Sequence, residues 1–270
     1  MSRTQGRDAS RQSSAANHLV SAGQWWPSGE TFNVQRVLNQ EACLRAVLGL
    51  TRHGKGQWLK TVIIPALLEA GFSVVCIDVD DEYSQHGKTR PTTSLGPLKH
   101  RVEAPDFENW LSANKDTFLR KALSLSIVPV SRAQKGKELA EQIEAVLPWV
   151  KDRGGTHLVL EEVSRWGEYA EPLLQAVATG WLKEDVSPWF VAQGLSYLPL
   201  GMRRQLLEVY SFKQVDSADI NFLATNCARP FALEVLNLDR HHFVARDRSE
   251  PDPSLLEELA AIRAARSKET

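Results

Sequence analysis

Short apolar runs alternate with helical stretches along most of the chain. The runs are rich in β-branched residues and end in acids, glycine or polar residues, which is typical of strands buried on both faces of a sheet. They predict strands at residues 44–48, 72–78, 125–130, 157–162, 188–193 and 210–214, and helices at residues 57–69, 107–122, 137–151, 168–181 and 254–266. This alternation predicts an α/β fold with a mostly parallel central sheet flanked by helices on both faces.

The two ends of the chain differ in composition from its middle. Residues 1–30 are rich in Ser, Arg, Gln and Gly, which predicts a flexible N-terminal arm. Residues 31–245 carry the strand and helix pattern and predict one domain, and residues 246–270 predict a C-terminal helix and tail. Within the domain, residues 80–103 have turn and charge character, so they predict a long surface loop.

The composition is that of an ordinary globular protein, with 43% hydrophobic and 24% charged residues. The formal net charge of −1 gives no overall basic field, although a local group of cations is compatible with it. The three cysteines show no metal-ligand spacing, and Cys43 and Cys76, which lie in apolar stretches, are predicted to be core residues. Their odd, sparse count favours a reducing, cytoplasmic location. No apolar run approaches the ~18–20 residues that span a bilayer, so we expect no membrane-spanning segment.

A glycine-rich motif follows the first predicted strand. Residues 49–56 fit the phosphate-loop pattern G-x-x-x-x-G-K, in which backbone N–H groups and a lysine bind phosphate oxygens. Gly56 stands where a Ser or Thr usually holds Mg²⁺, which leaves the cation to water, to an acid or to Thr51. The alternative is a glycine-rich turn with an exposed lysine. The predicted nucleotide-binding residues are Gly49, Thr51, Arg52, His53, Gly54, Lys55, Gly56 and Gln57.

Two adjacent acids end the predicted strand at residues 157–162. The carboxyl ends of parallel strands meet at one edge of a sheet, where a phosphate loop also opens. Glu161 is therefore predicted to help place Mg²⁺, and Glu162 to polarise the attacking water. The alternative is a solvated strand end.

A glutamine and several arginines complete the predicted site. Gln193 ends the next strand, where it either senses the γ-phosphate or caps the strand. Arg203 and Arg204 follow the loop 194–201, and either is a candidate to stabilise the transferring phosphoryl group across a subunit interface. Arg165 is a rival for that role.

The order of these motifs resembles that of the FtsK/HerA superfamily of ring-forming, DNA-translocating ATPases. Besides the phosphate loop and the acidic pair, residues 75–84 resemble the superfamily's strand that ends in Asp and continues into a "GEYS"-like turn. Residues 191–199 resemble its strand ending in Gln. Residues 212–223 resemble its "F-x-x-x-d-x-x-d-x-x-f-l" pattern. Arg52, Gly56 and Glu161 depart from the superfamily's usual residues.

The resemblance implies a RecA/HerA-like P-loop NTPase that uses ATP and Mg²⁺ and forms a ring, expected to be a hexamer. A compact motor without membrane helices is most similar to the genome-packaging ATPases of tailless, internal-membrane viruses. It implies contact with double-stranded DNA at its phosphates, docking to a capsid or membrane vertex protein, and a place in the host cytoplasm or virion. The candidate DNA-facing cations are Lys88, Arg90, Arg132, Lys135 and Lys137.

Two other functions stay open. Gly56 favours a nucleotide-binding assembly or morphogenesis protein with weak or no hydrolysis. A HerA-like DNA-processing ATPase has the same motifs. An unrelated P-loop kinase is disfavoured because the sequence shows no lid segment or acceptor-pocket signature.

Overall fold

The computed structural model describes residues 37–38, 41–87, 96–120, 122–130 and 135–249. The arm predicted for residues 1–30 and the helix predicted for residues 254–266 lie outside these ranges. The described residues contain one large sheet with helices packed against it, and they confirm the predicted α/β fold.

Eight strands of the described residues form the sheet. They are β1 (Arg45–Leu48), β2 (Ser73–Ile77), β3 (His100–Glu103), β4 (Ser124–Val128), β5 (Thr156–Leu160), β6 (Val186–Ala192), β7 (Glu208–Phe212) and β8 (Phe243–Asp247). Their order across the sheet is β3-β4-β2-β5-β6-β1-β7-β8. Neighbouring strands run parallel except β7 and β8, which pair antiparallel. The order places β6 between β1 and β5.

Helices connect the strands. They are α1 (Lys55–Trp58), α2 (Ile64–Glu69), α3 (Phe107–Ala113), α4 (Lys115–Leu119), α5 (Gly136–Arg153), α6 (Val163–Trp166), α7 (Glu171–Gly180), α8 (Leu200–Gln205), α9 (Ser217–Asn226) and α10 (Arg229–Asn237). A π-helical segment, Leu59–Ile63, joins α1 to α2. The single helix predicted at residues 107–122 is two helices, because Asn114 leaves helical geometry and its side chain bonds the carbonyl of Trp110 at 2.9 Å.

Both faces of the sheet are covered, as the alternation of side chains in β2 shows. Val75 and Ile77 belong to one buried cluster, which includes Ile143 of α5. Val74 belongs to a second cluster on the opposite face, which includes Trp58 of α1. Every residue of β2 is buried, which explains why this strand is a continuous apolar run rather than an alternating one.

The prediction of a surface loop over residues 80–103 is wrong in part. Tyr83, Ser84 and Leu98 are completely buried, and β3 begins at His100 and pairs with β4. β3 escapes prediction because it is a short edge strand whose four residues include only one buried side chain.

The carboxyl-terminal part of the domain holds elements that the apolar pattern does not predict. α8, α9, α10 and β8 all lie there. β8 is an antiparallel edge strand that starts apolar and ends charged. The start of α9 has a local signal, since the carboxylate of Asp216 accepts hydrogen bonds from the backbone N–H groups of Ala218 and Asp219.

The cysteines behave as core residues, as predicted for Cys43 and Cys76. These two and Cys227 are buried free thiols. Burial raises the pKa of the Cys43 thiol to about 12, so it is inert at neutral pH. None of the helices in the described part of the chain has the length and apolar character needed to cross a membrane.

Candidate functional site

The predicted phosphate loop lies between β1 and α1, at the carboxyl edge of the sheet, which is where the parallel strands end. Gly49 has a φ of +148°, and a Cβ there would lie 2.5 Å from the Cβ of Phe212, so only glycine fits. Gly54 precedes α1 with a φ of 108°, and Arg52 also has a positive φ of 63°. These left-handed residues turn the chain sharply between the strand and the helix.

Lys55 is buried inside this loop. Its ammonium group donates hydrogen bonds to the carbonyl oxygens of Gly49 at 2.6 Å and Leu50 at 3.3 Å. Burial lowers the pKa of Lys55, while the nearby carboxylates of Glu162 and Glu161 oppose that shift. The alternative of a turn with an exposed lysine is therefore wrong, because this ammonium points into the loop and lies near the acidic pair.

The other predicted nucleotide-binding residues surround Lys55. Thr51 and Arg52 are exposed on the outside of the loop, and His53 and Gln57 are partly exposed. A ring nitrogen of His53 lies 3.0 Å from the carbonyl oxygen of Thr51. The side chains at the tip of the loop therefore face solvent.

The acidic pair begins directly after β5, and its two members differ. Glu161 is buried, whereas Glu162 is partly exposed and has a left-handed φ of 46°. Such a conformation is costly for a non-glycine residue and is often found at functional sites. Ser164 donates a hydrogen bond to the carboxylate of Glu162 at 3.2 Å, and the indole of Trp166 donates one to the carbonyl of Glu161 at 2.9 Å.

The carboxyl group of Glu161 is in an unusual environment. Burial raises its pKa well above 4.5, and the neighbouring carboxylates of Asp78, Asp80 and Glu162 raise it further. Its Oε2 atom is buried and has no hydrogen-bond partner within the described ranges. A buried carboxyl oxygen without a partner is rare, and it is the kind of atom that a cation or its water would contact.

The turn after β2 is fixed by Asp78, which the sequence analysis did not single out as a site residue. Its carboxylate accepts hydrogen bonds from the backbone N–H groups of Glu82 and Tyr83 and from the hydroxyl of Ser126, all at 2.8 Å. The Asp-ending strand and its turn are therefore one unit, in which the carboxylate holds Tyr83 in place.

Tyr83 lies next to the phosphate loop and was also missed by the sequence analysis. It is completely buried, and its hydroxyl has no hydrogen-bond partner within the described ranges. Burial raises the pKa of the phenol well above 10, with a further contribution from Glu161, so it stays neutral. The only sequence signal was its place in the turn that resembles the superfamily's motif.

Gln193 follows β6, the strand that lies between β1 and β5, which lead to the phosphate loop and the acidic pair. Leu48 of β1 is paired with Ala192 of β6, so Gln193 and Gly49 leave the sheet side by side. The backbone carbonyl of Gln193 accepts a hydrogen bond from the buried side chain of Gln214 at 2.8 Å. On its other side, β6 pairs with β5, which ends one residue before Glu161.

The predicted arginines are not part of this cluster. The guanidinium of Arg203 donates hydrogen bonds to the carbonyls of Ser196 and Leu198 in its own loop, whereas Arg204 is exposed. Both lie near the end of α8. The chain after α8 reaches the amino edge of the sheet, where the parallel strands begin, since the N–H of Leu207 bonds to the carbonyl of Leu44, just before β1, at 2.9 Å. The four residues of β1 separate that edge from the phosphate loop by about 13 Å.

The rival arginine and two of the candidate DNA-facing cations form ion pairs. Arg165 forms an ion pair with Asp80 at 2.8 Å, which ties the turn after β2 to the acidic pair. Lys135 lies 3.4 Å from Glu138, and Lys137 lies 4.0 Å from Glu141, in exposed pairs along α5. The other three candidates, Lys88, Arg90 and Arg132, lie outside the described residues.

The oxygen atoms at this edge suit a magnesium ion bound mainly by phosphates and water. Mg²⁺ prefers oxygen ligands and usually takes only one or two carboxylates from the protein. The described part of the chain has no group of three or more His, Cys, Asp or Glu residues placed to hold a metal. The unpartnered oxygen atoms of Glu161 and Tyr83 fit such a cation.

Comparison with known proteins gives similarity in structure only. No protein-family model and no curated protein matches the chain. The genome packaging NTPase B204 from Sulfolobus turreted icosahedral virus 2, in complex with ATP-gammaS, matches with a TM-score of 0.55 and 16% identity, over 77% of this chain and 93% of that chain. Its complex with AMP matches with a TM-score of 0.52 and 15% identity, over 77% and 94%.

A third solved structure agrees with these two. B204, the DNA-packaging ATPase from Sulfolobus Turreted Icosahedral Virus, matches with a TM-score of 0.53 and 13% identity, over 77% of this chain and 94% of that chain. The similarity extends over nearly the whole length of the viral proteins. At this level of identity it shows a shared fold, and the predicted resemblance is confirmed in that sense: the chain has the P-loop NTPase fold of these genome-packaging enzymes.

Proposed function

We propose that this chain is an ATPase that translocates double-stranded DNA as a ring, of the kind that packages viral genomes. One observation carries the proposal: three strand ends deliver Lys55, the pair Glu161 and Glu162, and Gln193 to the same edge of the sheet. The strand that bears the glutamine lies between the other two. The likeness in fold to packaging enzymes solved with nucleotides supports the proposal.

Lys55 and the loop would bind the β- and γ-phosphates of ATP. The ammonium of Lys55 has to exchange its hydrogen bonds to Gly49 and Leu50 for phosphate oxygens, which is a local movement. The backbone N–H groups of the loop and the positive end of the following helix add to this attraction. The low dielectric around a buried ammonium strengthens its interaction with a phosphate.

The acidic pair would divide the remaining work. Bound Mg²⁺ supplies neutralisation of the phosphate charge. The buried Glu161 is placed to hold that ion, directly or through water. The partly exposed Glu162 is placed to orient and polarise the attacking water, since it lies beside Glu161 and is open to solvent. Its backbone has a left-handed φ of 46°, directly after the strand ends.

Gln193 and an arginine from a neighbouring subunit would report the state of the nucleotide. Gln193 leaves the sheet beside the phosphate loop, within reach of the γ-phosphate. Arg204 is the better candidate to act across an interface, because Arg203 is bonded to its own loop. The position of Arg204 near the amino edge leaves it no role at its own subunit's nucleotide and suits a role at a neighbour's.

The test is steady-state ATP hydrolysis with and without linear duplex DNA. We expect DNA to stimulate hydrolysis in the unmodified protein, and we expect Lys55→Ala and Glu162→Gln each to lower the stimulated rate by 100-fold or more, about 2.7 kcal/mol. The matched control is Glu184→Gln, an exposed glutamate far from the site, which should keep the full rate. Hydrolysis that is indifferent to DNA would refute the translocase.

The second candidate is a nucleotide-binding assembly protein with weak or no hydrolysis. It is favoured by Gly56, which cannot provide the hydroxyl that usually holds the cation. Such a protein would bind ATP and change its assembly state without turnover, and duplex DNA would have no effect on it. The same hydrolysis measurement, combined with nucleotide binding by calorimetry, separates the two functions.

A further inference from the structure

The position that usually carries the cation-binding hydroxyl, Gly56, faces the side chains of Tyr83 and Glu161. A Cβ built on Gly56 would lie 3.2 Å from the hydroxyl oxygen of Tyr83 and 4.0 Å from Oε1 of Glu161. The space that a Ser or Thr side chain would enter is therefore bounded by a phenol oxygen and by the buried acid. The Tyr83 hydroxyl lies within one side-chain length of the place where the missing hydroxyl would be.

The backbone on either side holds Tyr83 firmly in this place. Its N–H donates to Asp78 at 2.8 Å, and its carbonyl accepts from the N–H of Leu98 at 3.0 Å. Gly96 packs so closely that a Cβ there would lie 2.0 Å from the Tyr83 backbone. The ammonium of Lys60 lies 5.8 Å from the centre of the ring. These hydrogen bonds and packing contacts fix the position of the Tyr83 hydroxyl.

The part of the chain that the structure describes holds no hydrogen-bond partner for the buried hydroxyl of Tyr83. A buried tyrosine hydroxyl normally forms a hydrogen bond. Within the described ranges, the hydroxyl of Tyr83 forms none, and neither does Oε2 of Glu161. The unpartnered hydroxyl of Tyr83 and the carboxyl group of Glu161, through its Oε1 atom, therefore border the position where the cation of a bound nucleotide is expected.

We propose that the Tyr83 hydroxyl supplies the oxygen contact to the hydrated divalent cation that the residue after Lys55 ordinarily supplies. This inference rests on the proposed nucleotide site. The glycine and the tyrosine compensate each other: glycine at position 56 leaves room for the phenol oxygen, and that oxygen replaces the one that glycine lacks. Serine at position 56 would bring its Cβ unusually close to the Tyr83 hydroxyl.

The experiment measures Mn²⁺ binding to the full chain with a non-hydrolysable ATP analogue, by electron paramagnetic resonance of free and bound Mn²⁺. We expect Tyr83→Phe to weaken Mn²⁺ affinity about 10-fold or more, the range found when groups around a metal are removed. Analogue binding in EDTA should be unchanged. The double variant Gly56→Ser with Tyr83→Phe should recover most of the lost affinity, because the serine hydroxyl then has both the space and the role.

The control is Tyr210→Phe, which removes the hydroxyl of another buried tyrosine that is bonded to Glu208 instead. It should leave Mn²⁺ affinity unchanged. Unaltered Mn²⁺ affinity in Tyr83→Phe would overturn the inference while leaving the nucleotide site standing. An unmodified protein that binds no analogue would overturn both. If the double variant does not fold, the comparison of Tyr83→Phe with Tyr210→Phe decides alone.

Discussion

The sheet has one polar cluster at the amino ends of its parallel strands and another at their carboxyl ends. The buried polar atoms of the two clusters differ greatly in how many hydrogen-bond partners they have. The amino-edge cluster consists of Arg45, His157, Ser187, Glu208 and Tyr210. Arg45 is completely buried and lies 2.6 Å from a carboxylate oxygen of Glu208, with Ser187 as a second acceptor. The hydroxyl of Tyr210 donates to the same carboxylate at 3.0 Å. The guanidinium also stacks on an indole ring, 4.8 Å from its centre.

The carboxyl-edge cluster consists of Lys55, Tyr83, Glu161 and Glu162. Here the buried oxygens of Tyr83 and Glu161 lack partners within the described ranges, and the pKa of Glu161 is raised by burial and by neighbouring carboxylates. Buried polar groups that satisfy one another stabilise the sheet, whereas groups left unsatisfied reduce stability unless something else binds them. The difference is consistent with a structural role for the first cluster and with the ligand-binding role that we propose for the second.

The largest effect should come from breaking the amino-edge ion pair. Arg45→Met removes the guanidinium that lies 2.6 Å from the buried carboxylate of Glu208, so we expect the free energy of unfolding to fall by about 3–5 kcal/mol in urea titrations. The double variant Arg45→Met with Glu208→Gln keeps an acceptor for Tyr210 and should recover most of that loss. A loss below about 1 kcal/mol in the single variant would show that this cluster is not structural.

At the carboxyl edge, by contrast, we expect a substitution to raise the free energy of unfolding. The folded pKa of Glu161 lies above the ordinary value of 4.5, so its contribution to stability is present below that pH and is lost as the pH rises toward the folded pKa. Glu161→Gln cannot titrate. It should therefore raise the free energy of unfolding of the nucleotide-free protein at pH 8 by roughly 1–3 kcal/mol, while weakening cation binding.

The pH dependence separates this effect from a general change in packing. The advantage of Glu161→Gln should shrink toward zero near pH 4, where the carboxyl is protonated in both the folded and the unfolded chain. Chemical denaturation at the two pH values measures it. A variant that is less stable than the unmodified protein at pH 8 would contradict the idea that this edge is held in readiness for a ligand.

A smaller effect should appear at His157 in the amino-edge cluster. Burial, with a contribution from Arg45, lowers its pKa to about 3, so its share of stability is present above pH 6.5 and is lost as the pH falls toward 3. Between pH 7 and pH 5.5 this costs about 1 kcal/mol. His157→Asn retains an acceptor for the indole of Trp189, 3.2 Å away, and should remove that part of the acid sensitivity. Identical acid profiles for the two proteins would rule out this origin.

The sequence predicted the centre of the fold better than its margins. β2, β4 and β5 lie within the sheet and are fully buried, so each is a continuous apolar run that stands out in the sequence. β3 and β8 are edge strands with charged residues, and their pairing depends on neighbours far away in the chain. α9 was missed because its apolar residues have little helical periodicity, whereas α10, which has a clear apolar stripe, was overlooked.

The residues of the candidate site also fall into two groups, those that the sequence pattern predicts and those that depend on contacts distant in the chain. Lys55, Glu161 and Gln193 were predicted because each follows a strand, and the ends of parallel strands share one edge. The closeness of Tyr83 to Gly56 could not be predicted, since it depends on how the turn held by Asp78 packs against α1. The trans role of Arg204 and the hexameric ring stay predictions, because both concern contacts between subunits.

The most direct test of DNA translocation is ATP-driven displacement of a third strand bound to linear duplex DNA. A protein that moves along the duplex should release the third strand when ATP and Mg²⁺ are present, at a rate that falls steeply with salt. Glu162→Gln should release none while still binding the duplex. Rapid, DNA-stimulated hydrolysis with the third strand left in place would contradict the translocase.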